Sequence, residues 1–182
     1  MNKIKVLLMA ALVMMTSLTM KAQQDMTFEQ MIPVRVLMPT NKDVKGDALT
    51  VLYNRLNQAV TLNGLGSATN ENRFLIVTSV TVLSKEATNS VPVQYMAEVE
   101  VALYFIDNVS KVILSQETIT KKGMDSTEDK AVEKAIKQIQ ARDPKLKKLI
   151  KIGKDRAIQY YKATEETEEP AEDTDVSWIF NQ

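Results

Sequence analysis

Residues 73–86 read RFLIVTSVTVLSKE, residues 91–106 read VPVQYMAEVEVALYFI, and residues 111–121 read KVILSQETITK. All three stretches are rich in Val, Ile, Thr and aromatic residues, a composition that favours β-strands. The connections between them are too short for a crossover, so neighbouring strands must run antiparallel. These residues therefore predict a three-stranded antiparallel meander, on which the rest of the chain must pack.

Side chains of this meander alternate between two faces. One face is predicted to be a continuous core layer of Phe74, Ile76, Val80, Val82, Val93, Tyr95, Val99, Val101, Leu103, Val112 and Leu114. The opposite face mixes apolar and acidic residues: Leu75, Val77, Leu83, Met96, Ala102, Tyr104, Ile106, Ile113 and Ile119, with Glu98, Glu100 and Glu117. A face turned only to water is normally more polar, so this second face predicts an interaction surface.

Shorter elements flank the meander on both sides. Residues 33–38 predict a short strand, and residues 47–62 carry apolar side chains at the spacing of an amphipathic helix, which Asn63-Gly64 ends. Two helices are predicted after the meander: one over residues 126–141, which opens on a sequence similar to a capping box, and one that begins at Pro144. The order strand, helix, three-stranded antiparallel meander, helix, helix predicts an α+β fold with one mixed sheet packed on helices.

The first 22 residues predict a cleaved secretory signal peptide. Lys3 and Lys5 form a charged start, residues 6–15 are an unbroken apolar run, and the small residue Ala22 closes the segment. The run is shorter than the about 20 apolar residues that a membrane-spanning helix needs; an uncleaved interfacial anchor is the alternative. Because the chain has no cysteine to carry a lipid, we expect a periplasmic or secreted protein that is not a lipoprotein.

The 182 residues contain no histidine and no cysteine. This composition excludes Ser-His-Asp and Cys-His triads, imidazole general bases, typical structural zinc sites and dithiol redox centres. The glycine pair in Asn63-Gly-Leu-Gly66 lacks the Gly-Lys-Ser/Thr ending of a phosphate-binding loop. No catalytic residue, metal site or cofactor is therefore predicted.

The composition changes sharply after Lys162. Residues 23–163 are predicted to form a single α+β domain, and residues 164–182 a disordered acidic tail that ends in a hydrophobic peptide. Two roles for the tail are open: it screens the basic third helix, or it is a solvated tether that holds Trp178 and Phe180 out for docking. The tether is the preferred hypothesis.

Three glutamates are a candidate for chemistry. Glu98 and Glu100 share a face, and a tight turn at Asp107-Asn108 would place Glu98 opposite Glu117. Clustered carboxylates suit the acid–base pair of a glycosidase or a set of Ca²⁺ ligands, whereas solvated positions on an outer face are the simpler explanation. An enzyme that uses these carboxylates on envelope polysaccharide is therefore the alternative function.

A surplus of positive charge follows the meander. Between residues 121 and 162 basic residues outnumber acidic ones by seven, and Lys147, Lys148, Lys151 and Lys154 lie in the predicted third helix. Such a helix attracts anionic lipid or lipopolysaccharide, although a solvated helix surface explains the pattern as well. Nucleic acid is not expected as a partner, because the chain is secreted and no aromatic residues alternate with these lysines.

Ser126 lies in Asp125-Ser126-Thr127, a sequence that resembles the O-glycosylation sequon of Bacteroidota. The alternative, which we prefer, is that these residues only cap the following helix.

The chain also resembles a known group of proteins. The segments Val34-Arg-Val-Leu-Met38 and Arg73-Phe-Leu-Ile-Val77, with the helix that closes at Asn63-Gly64 between them, are similar to the small α+β domains of TolB N-terminal and CsgG-type envelope proteins. The stretch from Lys122-Gly123 to Tyr160-Tyr161 resembles uncharacterised secreted proteins of Bacteroidota. The resemblance implies a non-catalytic assembly or binding domain of the cell envelope. It offers no catalytic residue to carry over, and this chain lacks the cysteine that anchors lipidated relatives.

These observations together predict a binding or scaffold module that acts through protein contacts, with oligomerisation as one form of contact. The predicted partner-binding residues are four members of the mixed face and the two aromatic residues of the terminal peptide: Leu75, Val77, Tyr104, Ile113, Trp178 and Phe180.

Overall fold

The computed structural model describes residues 32–67, 73–164 and 176–181. The predicted signal peptide and most of the predicted acidic tail lie outside these residues. The elements, in chain order, are β1 Pro33–Val36, α1 Ala48–Leu62, β2 Gly66–Ser67, β3 Phe74–Ala87, β4 Tyr95–Asp107, β5 Val112–Asp125, α2 Glu128–Ile136, α3 Pro144–Thr164 and a 3₁₀-helix Ser177–Asn181.

The strands form one mixed sheet in the order β2-β1-β3-β4-β5. Strand β1 runs parallel to β2 and to β3, whereas β3, β4 and β5 form the antiparallel meander. Helices α1, α2 and α3 cover one face, which we call the inner face. The predicted α+β fold with one mixed sheet is therefore confirmed. The two-residue strand β2, which follows the predicted helix stop at Asn63-Gly64, was not predicted.

At two positions a helix and the sheet lie unusually close together on the inner face. A Cβ atom at Gly123 of β5 would lie 2.1 Å from the carbonyl oxygen of Ala131 in α2. A Cβ atom at Gly153 of α3 would lie 2.5 Å from Cγ of Phe105 in β4. Only glycine leaves room for these contacts, so both residues set the distance between helix and sheet.

A β-bulge in β5 overturns part of the predicted alternation. Phe105 pairs with Ser115 but the next residue, Ile106, pairs with Ile113, so Leu114 is an extra residue in the ladder. A bulge shifts the residues beyond it to the other face. Ile119 and Glu117 therefore lie on the inner face, and their predicted place on the mixed face is wrong.

Several predicted boundaries also move. Strand β4 begins at Tyr95, because residues 88–94 form a loop in which Thr88 N donates to Gln94 O at 2.7 Å. Val93, predicted in the core, is 53% exposed in this loop. Helix α2 ends at Ile136 rather than at residue 141, and the carbonyl groups of the connector that follows accept hydrogen bonds from the Arg55 side chain of α1.

Candidate interaction site on the outer face of the sheet

One end of the outer face carries a compact group of apolar side chains. The pairing places Leu75 of β3 beside Ile106 of β4 and Val77 beside Tyr104. The bulge in β5 then brings Ile113 beside Ile106. Together with Leu37, which follows β1, these residues form a cluster that is separate from the inner core, and we call it the apolar patch: Leu37, Leu75, Val77, Tyr104, Ile106 and Ile113.

The far end of the same face is different in chemistry. Glu98 pairs with Lys122 across β4 and β5, and their charged groups lie 3.5 Å apart. Glu100 lies between Thr81 and Thr120. The outer face is therefore apolar at the end of the sheet next to the β4–β5 turn, and polar at the opposite end.

Residues 176–181, which we call the C-terminal peptide, lie on the apolar patch. Ile179 is 5% exposed and belongs to the same buried cluster as Leu75, Val77 and Ile106. Val176 and Trp178 pack against this cluster, and a turn in which Ile179 N donates to Val176 O at 3.1 Å shapes the peptide.

Two aromatic contacts orient the C-terminal peptide. Trp178 Nε1 donates to Asn108 Oδ1 at 3.5 Å, and Asn108 is almost fully buried. The Phe180 ring meets the Tyr104 ring edge to face, with centroids 6.1 Å apart and planes at 86°. This geometry is favourable for aromatic pairs because the positive ring edge meets the negative ring face.

The turn that supplies Asn108 is held by a buried carboxylate. Asp107 is fully buried, and its Oδ1 accepts hydrogen bonds from Val109 N at 3.1 Å and Ser110 N at 3.3 Å. Its Oδ2 accepts one from Ser110 Oγ at 3.2 Å and forms a 3.4 Å ion pair with Arg73. These bonds position the turn and with it the Asn108 acceptor for Trp178.

A cavity of about 220 Å³ remains beside the docked peptide. It lies between Val176 and Phe180 on one side and Leu37, Met38 and Thr40 on the other, with β3 as its floor. Phe180 is 52% exposed at its rim. The peptide therefore covers the apolar patch without filling it completely.

The structure brings together all six residues predicted for partner binding, but in an arrangement that the sequence did not suggest. Trp178 and Phe180 were expected on a tether held away from the domain, whereas the structure places them on Leu75, Val77, Tyr104 and Ile113 of the same chain. Helix α3 packs on the inner face and does not take part in this cover.

Sequence reasoning did not assign Leu37, Asn108 and Ile179 to the site. Ile179 had a usable signal, since it lies between two aromatic residues in the terminal peptide. Leu37 and Asn108 had none, because a residue after a short strand and a turn residue become neighbours only when the sheet is assembled.

Because of the bulge, the three glutamates that were predicted to form a group do not share a face. Glu117 pairs with Leu103 and not with Glu98, and on the inner face its carboxylate lies 2.6 Å from Lys148 Nζ. Glu98 and Glu100 remain on the outer face. The cluster on which the carboxylate-enzyme hypothesis depended is therefore absent among the described residues. Within the same ranges, no three His, Cys, Asp or Glu side chains are grouped to hold a metal ion.

The four candidate lysines lie on α3 as predicted, in different surroundings. Lys148 is engaged with Glu117, Lys147 and Lys151 are exposed, and Lys154 is half-buried. Neighbouring Lys145 donates to Thr118 O at 2.5 Å, and Arg156 donates to Leu114 O at 2.6 Å. Part of the basic charge on this helix thus covers carbonyl groups along the open edge of β5.

Ser126 is exposed, and its hydroxyl donates to Asp125 Oδ1 at 3.1 Å. The backbone N–H of Ser126 also donates to this carboxylate and lowers the pKa of Asp125. The residue that caps α2 is Thr127, whose Oγ1 accepts a hydrogen bond from Lys130 N at 3.3 Å. The predicted cap therefore lies one residue further along the chain.

None of the helices in the described ranges is long and apolar enough to cross a membrane.

Comparisons with known proteins give similarity in fold at low identity. No protein-family model matches the chain, and no curated protein sequence matches it. A minor lipoprotein from Acinetobacter baumannii is similar at 14% identity and a TM-score of 0.43, covering 68% of this chain and 94% of that one.

Two further solved structures are similar in the same way. PelC from Paraburkholderia phytofirmans, crystallised as a dodecamer, has 18% identity and a TM-score of 0.39 over 63% of this chain and 90% of its own. A DUF330 protein from Xanthomonas campestris has 13% identity and a TM-score of 0.41 over 72% and 88%.

Proposed function

We propose that this protein is a non-catalytic, secreted or periplasmic binding or scaffold module of the bacterial cell envelope that acts through protein contacts at the apolar patch. One observation carries the proposal: the patch holds a short aromatic peptide whose connection to the domain is eleven residues long, seven of them acidic. A site that accepts one such peptide has the shape and chemistry to accept another.

The small size of the contact supports exchange of its occupant. In the described chain the outer cluster contains four buried residues, whereas the inner core contains 29. Elements with few buried apolar contacts open at low free energy while the rest of a domain stays folded. A partner can therefore displace the C-terminal peptide without unfolding the domain.

Competition with the attached peptide sets the affinity of such a partner. The apparent dissociation constant of the partner equals its intrinsic value divided by the fraction of time the patch is uncovered. A partner must therefore present contacts at least comparable to those of Trp178, Ile179 and Phe180, which favours partners with a short aromatic and aliphatic segment.

The envelope part of the proposal depends on residues 1–22, whose sequence is typical of a secretory signal peptide, and on the resemblance to envelope proteins described above. We also propose that the exposed lysines Lys147 and Lys151 make the predicted contact with anionic lipid or lipopolysaccharide.

The experiment is a capture from the envelope fraction of the source bacterium, with the chain from residue 23 to 182 as bait. Val77→Arg places a charge in the patch, Ile179→Asp weakens the attached competitor, and Val91→Arg at a fully exposed position is the matched control. We expect Val77→Arg to lose a partner that wild type and Val91→Arg retain, and Ile179→Asp to capture more of it. If all four baits capture the same proteins in equal amounts, the patch is not the contact site and the proposal fails.

A further inference from the structure

The occupant of the apolar patch is a sequence that every copy of the chain carries. We propose that the patch also takes the C-terminal peptide of a second copy, so that copies of this protein assemble by exchanging their last residues. The inference rests on the proposed function only in treating the patch as a site of protein contact.

The contacts are the same whether the peptide comes from its own chain or from a neighbour. Burial of Ile179, the hydrogen bond from Trp178 to Asn108 and the edge-to-face contact of Phe180 with Tyr104 involve only the patch, Asn108 and residues 176–181. The two arrangements therefore differ only in two entropic costs. Docking within one chain closes the connecting segment into a loop, and docking between chains brings two copies together.

The connecting segment is longer than docking within one chain requires. Helix α3 passes the start of β5 where Arg156 contacts Leu114 O, and it continues for eight residues, about 12 Å, toward the end of the sheet that carries the patch. From Thr164 the chain has only to pass around this end, across layers spaced by about 10 Å. The eleven residues 165–175 can span roughly 36–40 Å when extended, about the diameter expected for a domain of this size. The peptide can therefore reach a neighbour's patch.

The charge of this segment also favours exchange. Seven of its eleven residues are acidic and none is basic, so bringing its two ends together concentrates like charges. Mutual repulsion extends charged linkers, which lowers the effective concentration at which a peptide meets its own patch. For short flexible linkers that concentration is on the order of millimolar, and exchange between copies prevails as their local concentration approaches it.

The test uses one variant that can only supply the peptide and another that can only supply the patch. Ile179→Asp leaves a patch without a working peptide, and Val77→Arg leaves a working peptide without a patch. Each full chain from residue 23 is expected to be monomeric alone by light scattering, and their mixture is expected to form a 1:1 complex because neither copy retains its internal competitor. If Val77→Arg fails to fold by circular dichroism, Ile113→Arg at the rim of the patch replaces it.

Wild type then decides whether exchange occurs when both parts are intact. Copies labelled with donor or acceptor dyes should show energy transfer that rises with concentration up to about 1 mM and disappears when both labelled copies carry Ile179→Asp. The inference is overturned if wild type shows no transfer over this range, if the variants do not combine, or if each variant associates alone as strongly as wild type does. An envelope partner captured through the patch would leave the proposed function standing after such a failure.

Discussion

The two faces of the sheet are covered in contrasting ways. Three helices close the inner face, whereas one end of the outer face is closed by six residues at the end of a long acidic connection. The inner cover cannot leave without unfolding the domain. We expect the outer cover to leave while the domain stays folded, which would give the same sheet a permanent core on one side and an exchangeable contact on the other.

The energetic difference follows from how much each cover buries. Each large apolar side chain that is fully buried contributes about 1.5–3 kcal/mol, and Ile179 is the only residue of the C-terminal peptide described as buried. The helices bury many residues at once, so their gain greatly exceeds that of the peptide.

The largest effect is expected where α3 contacts the sheet. In Gly153→Ala the new Cβ would lie 2.5 Å from the Phe105 ring, and overpacking of this kind costs about 1–3 kcal/mol or more. Urea unfolding should show this loss. Gly66→Ala, where no atom lies within 4 Å of the new Cβ, is the matched control and should be close to wild type. Equal stability of the two variants would mean that α3 does not approach the inner face so closely.

A smaller effect is expected from release of the outer cover. Ile179→Asp should lower the free energy of unfolding by no more than the free energy of docking the peptide, because the peptide can detach while the domain remains folded. Hydrogen exchange at residues 176–181 should become fast, and binding of a hydrophobic dye should increase. Val91→Asp, at a fully exposed position, is the control. A loss as large as that of Gly153→Ala would instead make the peptide part of the main core.

A double variant tests whether Val77 stabilises the domain only through the docked peptide. Val77→Arg and Ile179→Asp both release the same peptide, so the double variant should be only slightly less stable than either single variant. Urea unfolding of all four proteins measures the coupling. Full additivity would show that Val77 stabilises the domain independently of the peptide.

The coupling energies of ion pairs on the two faces should differ by about 0.8 kcal/mol. On the inner face Glu117 is 14% exposed and lies 2.6 Å from Lys148, whereas on the outer face Glu98 is 31% exposed and lies 3.5 Å from Lys122. We expect double-mutant cycles to give a coupling near 1 kcal/mol for the first pair and near 0.2 kcal/mol for the second. The reverse order would contradict the assignment of Glu117 to the helix-covered face.

The smallest expected effect is a loss of thermal stability at low pH, caused by two aspartates on the helix-covered side. A hydrogen bond from Lys45 lowers the pKa of Asp129, and one from Lys137 lowers the pKa of Asp47. Because both carboxyls bind protons less readily when folded, their contribution is complete above their unfolded pKa values and is lost as the pH falls through the folded ones. The melting temperature should therefore fall below about pH 4, less so in Asp129→Asn. Added salt should weaken the effect, since these groups are exposed; an unchanged acid response in Asp129→Asn would exclude Asp129 as a contributor.

Much of the architecture follows from local sequence. Strand composition and short connections predicted the antiparallel meander, and Asn63-Gly64 and Pro144 correctly marked the end of α1 and the start of α3. The alternation of side chains predicted the faces of β3 and of most of β4. The prediction failed in β5 beyond Leu114, because an extra residue in a ladder is selected by pairing with β4 and by packing under α3, neither of which leaves a local signal.

The features of the candidate site also fall into two groups, those that the sequence predicted and those that only the structure shows. By itself the sequence determined that the meander has one largely apolar face and one mixed face, and that an aromatic peptide follows an acidic stretch. Only the tertiary structure decided that the bulge at Leu114 sets Ile113 beside Ile106, that Glu117 leaves the outer face, and that Ile179 covers the patch. Local composition and spacing act between near neighbours, whereas register and cover depend on which distant segments bury apolar surface best when the whole chain competes for the same sheet.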